Sequence, residues 1–107
     1  MYSFPEFLKK IREESQLTQE DLAKVLGVST VLVSMIETGQ KEVSKKFIKG
    51  LAKKMRVSAA SITPFIFMEK DDSFRYLSDT ERSFIKFAEK LQIDLINIKA
   101  KNLRRYV

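Results

Sequence analysis

The side chains best placed to do chemistry in this 107-residue chain are cations. Between Gln40 and Arg56 stand Lys41, Lys45, Lys46, Lys49, Lys53, Lys54 and Arg56, opposed only by Glu42. Their chemistry would be the neutralisation of phosphates, although a solvated helix face can have the same composition. A second cluster, Lys99, Lys101, Arg104 and Arg105, holds no acid, and the terminal Lys-Asn-Leu-Arg-Arg-Tyr-Val would suit either phosphate contact or an acidic partner surface. The acidic stretch between the clusters (Glu69, Asp71, Asp72, Asp79 and Glu81) reads as a boundary. The formal net charge of +6 favours nucleic acid or another polyanion as partner.

Catalysis has little to work with. The chain contains no Cys and no His, which removes the thiolate, the commonest zinc ligand and the usual proton carrier near neutral pH. The remaining carboxylates and lysines show no paired spacing, so no enzyme activity, metal or cofactor is expected. No apolar run approaches the roughly 20 residues of a membrane-spanning helix. The opening Met-Tyr-Ser-Phe-Pro-Glu lacks the charged start and apolar run of a secretion signal. A cytoplasmic, nucleoid-associated protein is expected, and a hydrophobic content of 44% is enough for a core.

The elements that must position these cations are punctuated as helices. Pro5 suits a first helical turn, and Phe4, Phe7, Leu8 and Ile11 recur at helical spacing to about Glu14. Thr18 is an N-cap, with Glu20 and Asp21 set against the positive end of the helix dipole. Leu22, Ala23 and Leu26 form the apolar stripe of this second helix, and Gly27 ends it. Ser29 caps a third helix that turns Val33 and Ile36 inward and stops at Gly39. Ser44 caps a fourth carrying Phe47, Ile48, Leu51, Ala52 and Met55, and Ser58 opens a short fifth. Pro64 disfavours a regular helix past Thr63. Phe65, Ile66, Phe67 and Met68 form an apolar cluster that a domain of residues 1–68 could only partly bury.

Residues 69–77 read as a linker. Ser78-Asp79-Thr80-Glu81 is then a capping box opening a further helix. Along it Phe84, Ala88, Leu91, Leu95 and Ile98 make a heptad-like stripe, widened by Ile85, Phe87 and Ile96. Past Gln92 the β-branched content leaves a strand open as well. Such a stripe must be covered, by the Phe65–Met68 cluster of the chain's own domain, by packing as a sixth core helix, by a second copy of the chain, or by another protein.

The pattern from Leu17 to Gly39, LTQEDLAKVLGVSTVLVSMIETG, places two short helices about a tight turn at Gly27-Val28-Ser29. Ala23 is small where the helices would cross, and Val28 and Val33 fill the angle between them. This is the physical form of a helix-turn-helix, whose second helix enters the DNA major groove. The stretch resembles the Cro/CI-type, phage-repressor-like helix-turn-helix family through Leu17-Thr18-Gln19-Glu20, Leu22-Ala23, Leu26-Gly27-Val28-Ser29, Val33-Ser34, Ile36-Glu37 and Gly39. With less specificity the resemblance extends from Phe7 to about Ile66.

The resemblance implies an all-α, five-helix domain that binds double-stranded DNA, usually as a symmetric dimer and often as a repressor. It makes Thr30, Val31, Ser34 and Met35 the base-reading face and Gln19 a phosphate contact. It lays Thr38, Gln40 and Lys41 along the phosphate backbone, and makes Arg12 and Glu37 a structural salt bridge. The outward face departs from the family, where Gln, Asn, Arg or Lys often reads bases through paired hydrogen bonds. Thr30, Val31, Leu32, Ser34 and Met35 can meet thymine methyls but cannot form the arginine–guanine fork. Either DNA shape and thymine contacts carry the specificity, or this helix meets a protein.

Lys45 and Lys46 add evidence of a different kind. They follow the Ser44 cap, where a positive charge opposes the helix dipole by ~0.3–1 kcal/mol each. Folding alone prefers acids there, whereas free N–H groups beside two ammonium groups make a phosphate site. The expected protein therefore has a DNA-binding domain in residues 1–68, a linker in 69–77 and an oligomerisation or partner-binding segment in 78–107. It is expected to act as a homodimeric transcriptional regulator. The alternative is an antitoxin whose C-terminal segment holds a protein toxin and which regulates its own promoter.

Overall fold

The computed structural model describes residues 3–62 and 78–107, and among these every regular element is helical. Pro64, the Phe65–Met68 cluster and the proposed linker 69–77 lie outside the described residues. Four α-helices lead the chain: α1 (Phe4–Glu14), α2 (Gln19–Leu26), α3 (Thr30–Glu37) and α4 (Lys45–Met55). A 3-10 turn, Ala59–Ser61, stands where a fifth helix was expected from Ser58. The long α5 (Asp79–Ala100) follows, and a 3-10 segment, Lys101–Tyr106, closes the chain.

Side-chain caps set the starts of the α-helices. Ser3, Thr18, Ser29, Ser44 and Ser78 each accept a hydrogen bond from the backbone N–H three residues on, so one of the unpaired donors of each first turn is satisfied. At α2 the bond is returned: Asp21 accepts from the Thr18 N–H at 3.2 Å while donating its own N–H to the Thr18 hydroxyl at 3.0 Å. The turn between α2 and α3 needs a left-handed residue, and Gly27 supplies it at φ 68°. Gln16 and Arg56 adopt the same conformation after α1 and α4.

One core serves the described parts of the chain. It joins Phe4, Phe7, Leu8 and Ile11 of α1 to Leu22 and Ala23 of α2 and to Val33 and Ile36 of α3. Leu51 and Met55 of α4 belong to it, and so do Ile96, Ala100 and Leu103. The C-terminal segment therefore has a buried side of its own: α5 packs on α1, and the terminal 3-10 segment packs on α4 and α2. It also closes helix ends. Asn102 Nδ2 donates to the Met55 carbonyl at 2.8 Å, and Arg104 Nη1 donates to the Gln16 and Ser15 carbonyls at 3.1 and 3.4 Å. A cation at the C-terminal end of α1 also complements its dipole. Lys54 lies over the Tyr106 ring, 4.2 Å from its centre.

Two expectations change here. The strand left open past Gln92 does not form: residues 93–100 continue α5, because burying Ile96 and Ala100 on α1 outweighs the weak helix propensity of β-branched residues. Nor does the terminal segment stand wholly free: Asn102, Leu103, Arg104 and Tyr106 bind the body of the protein, while Lys101 and Arg105 are exposed.

Candidate nucleic-acid interface

The framework of the site is α2 and α3, which pack on each other across the Gly27-Val28-Ser29 turn. Val33 and Ile36 are buried, and Val28 packs against the same core. Sequence reasoning thus places the inward face of α3 correctly.

The orientation of α3 is locked by Arg12. Its Nε and Nη2 donate to the two carboxylate oxygens of Glu37 at 2.9 and 3.1 Å, and its Nη1 donates to the Leu17 carbonyl at 3.0 Å. The Glu37 side chain is only 4% exposed. A paired, hydrogen-bonded carboxylate is what such burial requires. Gln19 Nε2 adds a longer bond to Glu37 at 3.4 Å. One carboxylate therefore ties the C-terminal end of α3 to α1 and to the first turn of α2.

On the outward side, Thr30 and Val31 are exposed, Val31 to 65%, while Ser34 and Met35 are half-buried. Leu32 is different from its neighbours: it packs against the core and lines a cleft, so it does not belong to the outward face. The cleft has a volume of about 400 Å³ and is walled by Leu26, Gly27, Val28 and Leu32 on one side and by Ser44, Lys46, Phe47 and Gly50 on the other. This brings the first turn of α4 beside the helix-turn-helix corner. Sequence reasoning did not find the cleft, because its two walls are joined only through the fold.

Lys45 and Lys46 occupy the first two positions of α4, are exposed, and have no acid in that turn. The N-terminal end of α4 is therefore a positive site on backbone and side-chain grounds alike. Gln40 and Lys41 are exposed too, and their N–H groups donate to the Met35 carbonyl at 2.9 and 3.2 Å, winding the loop back onto α3. Thr38 is exposed, but its hydroxyl donates to the Ser34 and Met35 carbonyls at 3.0 and 3.3 Å. A phosphate could take that proton only by displacing these bonds.

The stripe on α5 stands apart from this site. Phe84, Ala88, Leu91, Leu95 and Ile98 are all exposed. The opposite side of the same helix enters the core. Among the described residues no helix is long and apolar enough to cross a membrane.

Comparison with known proteins agrees with this geometry. A family model described as helix-turn-helix matches residues 8–62, from within α1 to just past the 3-10 turn, a little over half of the chain. No curated protein and no solved structure shows significant similarity to the chain.

Proposed function

Since the chain belongs to the Cro/CI-type helix-turn-helix family of DNA-binding transcription regulators, we propose that it is a repressor that occupies its operator as a homodimer. The α3 helix lies in the major groove and reads base edges with Thr30, Val31, Ser34 and Met35. Gln19, Gln40, Lys41, Lys45 and Lys46 meet the phosphates, and Thr38 holds the end of α3 from which that loop departs. The observation that carries this reading is the pair of exposed lysines in an acid-free first turn of α4, beside the helix-turn-helix corner.

Lys45→Ala with Lys46→Ala is expected to weaken binding to every duplex and to flatten the log–log salt dependence by about 2. Fluorescence anisotropy across a salt series measures both. A double variant with the parent's affinity and slope moves the phosphates elsewhere. Thr30→Ala and Met35→Ala should instead alter the preferred sequence. Selection from a random duplex library should return a palindrome whose half-sites lie about one helical turn apart. Recovery of salt-sensitive, non-specific binding alone would count against the operator reading.

We assign homodimerisation to the exposed stripe of α5, five side chains on a face that the core of the described residues leaves free. Leu91→Asp is expected to give monomers by sedimentation velocity with the fold retained, because Leu91 is 55% exposed. A dimeric Leu91→Asp variant would remove the stripe from the interface. The same free face supports the second reading, in which the arm of an antitoxin holds a toxin protein. A heterologous protein displaced from the purified complex by Leu91→Asp would favour it.

A further inference from the structure

Helix α5 has two apolar sides with different fates. Ile93, Ile96 and Ala100 pack into the chain's own core, whereas Phe84 at 71% exposure, Leu91 at 55% and Ile98 at 67% stand in solvent. Written as heptads, the free stripe has Phe84, Leu91 and Ile98 at one core position (d) and Ala88 and Leu95 at the other (a). The residues flanking such a seam are then fixed. Asp94 falls at the g position just before Leu95, and Lys99 at the e position just after Ile98. Neither forms an ion pair among the described residues.

In a parallel coiled coil the g residue of one helix lies beside the e residue of the next heptad in its partner. Asp94 of one copy then meets Lys99 of the other, twice by symmetry, and the apolar layers meet like with like. An antiparallel pair centred on Leu91 has no such match. It sets Asp94 against Phe87 of the second copy and Lys99 against Ile85, leaving charges beside apolar groups.

We propose that two copies of this chain pair through α5 in parallel and in register, with reciprocal Asp94–Lys99 ion pairs across the seam. This rests on the homodimer assigned above and specifies its geometry. The two-fold axis runs along α5. Each DNA-binding body packs near residues 93–103 on the side of α5 away from the seam, so both bodies lie at the same end of the pair.

The test uses the absence of cysteine from the chain. Phe84→Cys and Ile98→Cys are made separately in the full-length protein, oxidised, and run on non-reducing gels. A disulfide needs Cα atoms about 4.4–6.8 Å apart. The parallel pair brings each of these positions to its own copy, so each variant crosslinks alone. If neither crosslinks alone and a mixture of the two does, the helices are antiparallel and the proposal is overturned. A parent protein that sediments as a monomer overturns the homodimer reading itself and this geometry with it. Charge exchange is the second readout: Asp94→Lys and Lys99→Asp should each raise the dimer dissociation constant severalfold, and the combined variant should restore it. Two losses that simply accumulate would break the proposed pairing.

Discussion

A chain ending after residue 92 is expected to lose its folded DNA-binding domain along with its dimer. The cut removes Ile96, Ala100 and Leu103, which are at most 2% exposed, and lays bare the surfaces of α1, α2 and α4 that they cover. Burial of an Ile or Leu side chain is worth ~1.5–3 kcal/mol, and each helix-closing bond from Asn102 and Arg104 adds about 1 kcal/mol. Small domains have only about 5–15 kcal/mol in total, so the loss is a large share of the whole. The single change Leu103→Ala should cost ~2–5 kcal/mol, with each kcal/mol lowering the melting temperature by about 4–8 °C in a domain near this size. Thermal melts followed by circular dichroism measure it. A shortened chain that melts as the parent does, while becoming monomeric, would make the tail a detachable module.

The contrast between the two sides of α5 shows what can be read from sequence. The free stripe was legible because its side chains repeat by three and four along one element. The buried side was not. By spacing Ile96 widens the free stripe, whereas it is buried in the core, and the β-branched residues past Gln92 leave a strand open as well. Only packing on α1 decides for the helix. The caps at Thr18, Ser29, Ser44 and Ser78 were legible for a related reason, since each bond spans three residues. Asn102 and Arg104 bond to groups 47 and 88–89 residues away, and no local pattern announces that.

The candidate interface divides along the same line. Lys45 and Lys46 were marked by a local conflict between their charge and the helix dipole, which needs no knowledge of the fold. The pairing of Arg12 with Glu37 spans 25 residues and came from family resemblance; the geometry of the pair agrees with it. By sequence Leu32 belongs to the outward face with Thr30, Val31, Ser34 and Met35. The approach of Phe47 and Gly50 of α4 turns it into a cleft wall instead.

Arg12→Ala should be among the most damaging single substitutions in the protein. It leaves Glu37, 4% exposed, with a 3.4 Å bond from Gln19 as its remaining partner among the described residues. Breaking a buried pair from one side costs ~3–5 kcal/mol, because the other charge is left without compensation. Glu37→Ala should cost less. The Arg12 side chain is 15% exposed and still donates to the Leu17 carbonyl, so its charge can reach water. Arg12→Met combined with Glu37→Leu should recover much of the loss, since neither charge then stays buried. The exposed pair Lys24–Glu20, with side chains 74% and 68% accessible, gives the internal standard. Lys24→Ala should change stability by no more than about 1 kcal/mol. Urea unfolding of the four variants ranks them. If Arg12→Ala and Lys24→Ala cost the same, the Glu37 carboxylate is solvated and does not hold α3 in place. If Arg12→Ala is costly and the apolar double variant is not, the pair serves to orient α3. DNA binding should then fall in the double variant even at temperatures where it is fully folded.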